Sequence, residues 1–443
     1  MNKYFYVICF LVFTLTSRAQ ESPITLSLNK AIDLALENSY NTRAAANDIA
    51  SAKEKVWETT TIGLPQINGA IDYQNFLKQP ITVADINGDG VDEEFVFGTK
   101  QNVNASVTLS QLLFDGTYLV GLQSAKTFLK ISEQAKEKTD LVTREAVINA
   151  YGNVLISENS ILILENNIKI LQKNYDDAKK IYENGLNEEE DVEQLLITLG
   201  DVKNQLNSVK RLNEIAYQML NLTLGNSIDT KLVLTDTLDS LTEENITIDL
   251  VGETFLFENH IDYRIAENDR EAKRLMMRLE QSKNLPSLSA FVNYGTQAFS
   301  NEFSFFDNNQ RWFQSSLLGV SLKVPIFSSF GRKSKTAQAK IALNTADLRL
   351  EETKQRLELQ AKKAKSDYQL SIESYQTAKK NLGLAERIEK KQRIKFFEGL
   401  SSSFNLLQAQ TQLYTQQQNY IQSMLNVITN KAALENALNI PIK

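Results

Sequence analysis

Cysteine, histidine and proline are scarce in this chain of 443 residues, which has one cysteine, one histidine and six prolines. The cysteine, Cys9, lies in the opening stretch MNKYFYVICFLVFTLTSRAQ. That stretch carries Lys3, an apolar run from Tyr4 to Leu15, and Ser17-Arg18-Ala19 before Gln20, the pattern of a secretory signal over residues 1–19. Val7-Ile8 lacks the small residues that precede a lipidated cysteine, which argues against Cys9 as an anchor. Without Cys9 the exported chain has no thiol, so disulfides and thiol chemistry are excluded. No later run reaches the roughly 20 apolar residues of a spanning helix. A lone His260, with no phosphate loop and no metal spacing, leaves no credible catalytic set, and the chain reads as a non-enzyme. Lys and Arg number 48 against 54 Asp and Glu, a net charge of −6. Losing Lys3 and Arg18 with the signal takes −6 to −8, the wrong sign for nucleic acid binding.

What remains is rich in Ala, Leu, Gln, Lys, Glu and Asn with only 17 glycines, a composition for long helices. The chain also repeats itself. "NTRAAANDIASAKEKVWETTTIGLPQINGAIDYQ" parallels "DYRIAENDREAKRLMMRLEQSKNLPSLSAFVNYG"; "VTLSQLLFDGTYLVGLQSAK" parallels "VSLKVPIFSSFGRKSKTAQAK"; "IYENGLNEEEDVEQLLITL" parallels "FFEGLSSSFNLLQAQTQL". Each unit reads helix, strand, strand, long helix, Gly-Leu turn, shorter helix. The first repeat covers 20–224 with a β-hairpin at about 65–114, and the second covers 259–443 with a hairpin at about 286–327. A small mixed segment, 225–258, lies between them.

The strand segments alternate with period two. Ile67, Ile71 and Tyr73 oppose Gln66, Asn68 and Asp72; Val103, Ala105, Val107 and Leu109 oppose Asn102, Asn104, Ser106 and Thr108. Leu288, Ala290, Val292 and Tyr294 share one face, as do Leu318, Val320, Leu322, Val324 and Ile326. A soluble sandwich would alternate in the same way. Strands near ten residues with aromatics at both ends, such as Phe299, Phe305, Trp312 and Phe313 against Phe114, Tyr118, Phe327 and Phe330, fit the girdles of an outer-membrane barrel. The runs from about Gly116 to Asn184 and from about Gly331 to Glu398 contain no proline. At 1.5 Å per residue each makes a helix of roughly 100 Å. Leu155, Ile156, Ile161, Leu162, Leu164, Ile168, Ile170 and Leu171 form a narrow apolar stripe of the coiled-coil kind.

The opening "LSLNKAIDLALENSYN", the helix-to-strand "LPQINGAIDYQ", the strand-to-helix "LSQLLFDGTYLVGLQSAK", the two Gly-Leu turns and the duplication together resemble the TolC-like outer membrane efflux family over nearly the whole chain. The resemblance implies a mainly α chain with a membrane β-barrel part, four strands per chain completing a 12-stranded barrel in a homotrimer. The helices would form a periplasmic tube. It implies an exit duct for drug efflux or type I secretion, recruited by a periplasmic adaptor and an inner-membrane transporter. Oligomerisation has independent support, because four strands cannot close and lipid forbids open sheet edges. Eight strands would enclose only side chains, so three chains are the smallest number that leaves a passage.

In the family the helical turns dock the adaptor and form the gate. Here they are Asn184-Gly185-Leu186 and Glu398-Gly399-Leu400. Asp191 stands where well-known members carry an aspartate paired with arginine across the tip, and the matching arginine position is Ser401. The acidic constriction of another member maps to Asn405 and Gln408. Glu188, Glu189, Glu190 and Glu193 could supply a substitute ring or form a solvated helix start favoured by the dipole. In the first hairpin, "DINGDGVDEE" places Asp85, Asn87, Asp89, Val91 and Glu93 with the spacing that opens a calcium loop, although Val96 stands at the twelfth position. Asn-Gly and Asp-Gly are also ordinary hairpin turns. A free-standing porin and a structural coiled-coil protein are the competing functions; long helices argue against the first and inserted hairpins against the second.

Overall fold

The computed structural model describes residues 23–440 except 87, 89, 91, 186, 187, 248 and 254. The signal segment with Cys9, and Asn87, Asp89, Val91 and Leu186, lie outside the described residues. In chain order the elements are β1 (Ile24–Leu26), α1 (Leu28–Asn38), α2 (Tyr40–Thr61), β2 (Gln66–Asn75), β3 (Ile81–Ala84), β4 (Glu93–Val96), β5 (Gln101–Asp115), α3 (Gly116–Glu183) and α4 (Glu189–Leu224). Then come β6 (Leu232–Leu234), α5 (Leu238–Asn245), α6 (Asp249–Gly252), α7 (Ile261–Ser282), β7 (Ser287–Ser300), β8 (Trp312–Lys323), α8 (Gly331–Phe397) and α9 (Ser403–Ala437). Prolines mark the borders: Pro65 and Pro286 precede β2 and β7, and Pro325 separates β8 from α8. A proline disfavours helix in the residue before it and lacks the N–H a helix interior needs. Their absence from α3 and α8 lets helices of 68 and 67 residues run unbroken.

The chain divides into two compact units. One holds 48–133 and 265–352, and its centre is a sheet in the order β2-β5-β7-β8, antiparallel throughout. β5 pairs with β7 although 171 residues separate them, so the duplicated hairpins meet through their inner strands. A bulge between Leu112 and Phe114 lies near the helical end of β5. β3 and β4 form a separate two-stranded ribbon within the first hairpin, an element that the alternation pattern did not reveal. β8 stops at Lys323, so Val324 and Ile326 lie outside the strand expected to hold them.

The other unit contains the described residues up to Asn47, 134–264 and 353–440. Its largest core joins α1, α3, α4, α8 and α9 to the segment between the repeats, through Ala31, Tyr151, Leu220, Leu238, Tyr368 and Leu434. Burying a leucine or aromatic side chain fully stabilises by about 1.5–3 kcal/mol. The inter-repeat segment contributes β6, which pairs in parallel with β1, a strand the sequence did not suggest. The Tyr151 hydroxyl lies 3.0 Å from both the Leu26 carbonyl oxygen and Asp236 Oδ2. The same carboxylate accepts the Leu28 amide at 2.6 Å, which anchors the start of α1. Tyr368 plays a similar part from α8: its hydroxyl donates to the Asn245 carbonyl at 2.6 Å and accepts the Thr247 amide at 2.9 Å.

The first helical segment, expected to be continuous, breaks at Ser39, whose backbone is extended. The buried Ser39 and Thr42 hydroxyls share a 2.8 Å hydrogen bond that satisfies the break. Gly225 caps α4 with φ +79°, and a Cβ there would stand 2.2 Å from the Asn38 carbonyl oxygen. Only glycine serves both the left-handed turn and that close approach.

Candidate functional site

Paired residues in an antiparallel sheet share a face, so the register sorts the side chains. Ile67, Leu109, Val292 and Leu318 lie side by side across all four strands. Tyr73, Val103, Ala298 and Trp312 form a parallel row on the same face, and Ala290 with Val320 and Leu288 with Leu322 extend it. Most of this apolar face is bare, with Ile67 71 % exposed, Leu318 73 % and Val320 66 %, while Ala298 at its loop end is buried. On the opposite face Asn68, Thr108 and Asn293 align, as do Ser106, Gly295 and Ser315, and Asp72, Asn104 and Gln297. Asn293 donates to Thr108 Oγ1 at 2.7 Å within that polar face. Leu317 and Phe313 interrupt it near β8. Among the described residues β2 and β8 each leave one edge unpaired. A long bare edge next to a bare apolar face invites aggregation in water. In lipid the face is at home, and only the edges must find partners.

At the far end of the first hairpin, Phe303 packs edge to face on Tyr73 and Phe305, with centroids 5.9 and 5.6 Å apart. Phe305 is buried there, so it is a packing residue of the loop after β7 rather than part of an exposed girdle. In the ribbon loop, the Asp85 carboxylate accepts the amides of Gly88 and Gly90 at 2.7 and 2.9 Å. Glu93 opens β4.

At the opposite ends of α3 and α8 the two helical hairpins turn. Gly185 and Gly399 have φ +73° and +70°. The Gly399 amide donates to the Phe396 carbonyl at 3.0 Å and the Leu400 amide to that of Lys395 at 2.8 Å, the paired bonds of a glycine-stopped helix. The Gly185 amide donates to the Tyr182 carbonyl at 2.7 Å in the matching position. Behind the turns Ala178, Val192, Leu195, Phe396 and Leu406 pack into one small core from both hairpins. Leu400 and Phe404 remain exposed, Leu400 to 73 %.

The structure does not join Asp191 to Ser401. The Ser401 hydroxyl donates to Gln392 at 3.3 Å and accepts from Asn405 Nδ2 at 3.2 Å, both within its own hairpin. Among the described residues the Asp191 side chain makes no hydrogen bond or ion pair. Asn405 and Gln408 are exposed on α9, and Glu188, Glu189, Glu190 and Glu193 are exposed at the start of α4. The hairpins are linked instead by a chain that sequence reading missed. The buried Ser403 hydroxyl donates to Gln194 Oε1 at 2.9 Å, and Gln194 donates to Glu190 at 2.9 Å. The family positions gave no signal for it, because it uses neither aspartate nor arginine.

About three helical turns from the tip, polar groups are buried without full satisfaction. Glu389 meets Arg393 at 3.6 Å. Gln410 is 1 % exposed and its amide faces the Glu389 carboxyl, while Asn174 Nδ2 has no partner among the described residues. Burial holds the Glu389 carboxyl above the usual carboxylate range, with Arg393 and the Gln410 amide opposing.

A bare apolar sheet with open edges, continuous with long helical hairpins, defines a membrane-inserted channel protein. The profile of the outer membrane efflux protein family matches residues 31–226 and 256–439, and the chain belongs to that family. Its sheet is the outer-membrane part and its helices are the periplasmic part. The solved structure of the outer membrane protein VceC from Vibrio cholerae is similar, with a TM-score of 0.72 at 16% identity, covering 93% of this chain and 95% of that one. The CmeC outer membrane channel of Campylobacter jejuni matches with a TM-score of 0.73 at 17% identity, over 93% and 85% of the two chains. The MtrE outer membrane channel of Neisseria gonorrhoeae, in its open state, matches with a TM-score of 0.68 at 16% identity, over 93% and 88%. At these identities the likeness is one of fold. No curated protein sequence matches this chain.

Proposed function

We propose that this protein is the passive exit duct of a tripartite exporter, working as a homotrimer joined to a periplasmic adaptor and an inner-membrane pump. The observation that carries the reading is the bare apolar sheet face ending in two unpaired edges. Joining β8 of one copy to β2 of the next pairs both open edges of the four-stranded sheet, and three copies make twelve strands around a passage lined by the Asn, Ser and Thr face. The helices carry matching seams: on α4, Leu212, Ile215, Met219 and Leu222 are exposed at spacings of three and four residues. Adaptor docking belongs at the Gly185-Leu186 and Gly399-Leu400 tips, where Leu400 and Phe404 offer apolar contacts. The gate lies among Asp191, Ser401, Asn405 and Gln408, with the Ser403–Gln194–Glu190 chain holding the hairpins together. For the loop from Asp85 to Glu93 we favour a plain acidic turn over a calcium site, since Val96 rather than a carboxylate stands at the twelfth position of the calcium pattern. Calorimetric heat on adding calcium, lost in Asp85→Ala, would reverse that choice.

The test is single-channel recording on purified protein in planar bilayers, together with its mass in detergent. A trimer with low closed conductance is expected. High constitutive conductance means a porin, and a particle that stays in water without inserting sinks both readings.

A further inference from the structure

We propose that the helix ends bordering the sheet form a basic collar that binds the headgroups of anionic phospholipids in the periplasmic leaflet. The inference rests on the membrane reading of the sheet given above.

All four helix–strand joints, α2 to β2, β5 to α3, α7 to β7 and β8 to α8, lie at one end of the sheet. Within about three turns of those joints, residues 52–63, 116–126, 273–285 and 328–340 carry eleven basic residues and three acidic ones. The chain as a whole has the opposite balance, with 48 basic against 54 acidic residues. Two of the three acids are taken up locally: Glu58 pairs with Lys55 and Glu280 with Lys283, each at 2.6 Å. Lys126, Lys273, Arg278, Lys333, Lys335 and Lys340 make no ion pair among the described residues. All but Lys273 are exposed.

The order of surfaces is informative. The bare apolar strand face comes first. Exposed Phe327 and Phe330 follow at the joint of β8 and α8. The basic side chains come next. Hydrocarbon, interfacial aromatics and cations in that order mirror the layers of a bilayer leaflet. Helix stability does not explain these cations. Arg332, Lys333 and Lys335 occupy the first turns of α8, where no acidic residue stands. The positive end of the helix dipole disfavours cations there. Arg332 has local work, donating to Asn284 at 2.9 Å and to the Pro325 carbonyl at 3.2 Å. Lys333, Lys335 and Lys340 have none. Helical side chains lean toward the helix N-terminus, which for α8 is the sheet end, so these ammonium groups reach toward the headgroup layer. Its fixed negative charge is the missing partner, because an anionic surface attracts nearby basic side chains.

The test uses full-length protein in vesicles of equal parts phosphatidylcholine and phosphatidylglycerol. After mild detergent extraction, the lipid retained by the trimer is measured by mass spectrometry. The wild type should retain phosphatidylglycerol at roughly fivefold excess, the factor matching about 1 kcal/mol at an anionic surface. Lys333→Gln/Lys335→Gln/Lys340→Gln should retain both lipids equally, while the same three positions changed to Arg should keep the excess. Lys390→Gln/Lys391→Gln, near the far tip, should also keep it. Equal retention by the wild type, an excess that survives the triple Gln change, or its loss in the tip control would overturn the collar. Insertion into pure phosphatidylcholine separates the two readings. Protein that inserts there but shows no lipid preference refutes the collar alone, and protein that does not insert refutes the membrane reading with it.

Discussion

The sheet and the helical tips handle apolar residues in opposite ways. In the sheet, Ile67, Leu318 and Val320 repeat with period two and lie on the surface. At the tips, Val192, Leu195, Phe396 and Leu406 repeat at helical spacing and lie inside. Both segments are amphipathic, and pattern alone treats them alike. The difference is the solvent each faces, and it appears only as burial. A strand face that nothing in its own chain covers must be covered by lipid or by another copy. A helix stripe covered by its neighbouring hairpin needs neither.

The sharpest attack on this contrast is a charge on the bare face. Leu318→Arg should cost about 2–4 kcal/mol per chain near the bilayer middle, while Ser315→Arg on the polar face should be tolerated. Outer-membrane fractionation with a trimer gel reads the result, and equal tolerance of both would end the lipid assignment. At the tips the contrast predicts the reverse dependence on burial. Leu406→Ala should lose about 2–5 kcal/mol in denaturant unfolding of the helical part. Leu400→Ala, at an exposed site, should stay within about 0.5 kcal/mol. Gln410→Leu should destabilise by roughly 1–3 kcal/mol, since it removes the amide that supports the buried Glu389 carboxyl. A stabilised variant would show that Glu389 draws no support from that amide.

The smallest effect concerns pH. Burial pushes the His260 imidazole below its ordinary 6.5; Asp262 opposes the shift and Lys138 adds to it. His260 Nδ1 accepts the Asp262 amide at 3.1 Å, a bond that needs the neutral ring. With the folded value lowered, the unfolded chain takes up the proton first as pH falls. The contribution is therefore complete above pH 6.5 and declines as pH drops from 6.5 toward the lowered folded value. His260→Gln should flatten that part of the stability profile, and an unchanged slope would assign it to other groups.

Much of the architecture was legible because its signals are local. Proline-free runs bounded by Gly-Leu turns announce α3 and α8, and each turn glycine must adopt a positive φ. Alternation announces the four sheet strands. The missed elements depend on distant partners. β1 is three residues long and exists because β6 offers it a parallel edge 208 positions away. The break at Ser39 exists because Gly225 lets α4 end against it. At the tip, the family positions Asp191 and Ser401 already lack the arginine partner, and the turn before α9 sets the Ser401 hydroxyl against Gln392, leaving the cross-hairpin bond to Ser403 and Gln194.

By itself the sequence determined the repeat and the types of its main elements, since composition and periodicity act over one or two turns of chain. Only the tertiary structure decided which apolar face stays bare, which polar groups meet across the hairpins, and that the unpaired cations gather below the sheet. Those outcomes depend on the pairing of β5 with β7 and on the packing of one hairpin against the other. They are contacts between residues far apart in the chain, which no local pattern encodes.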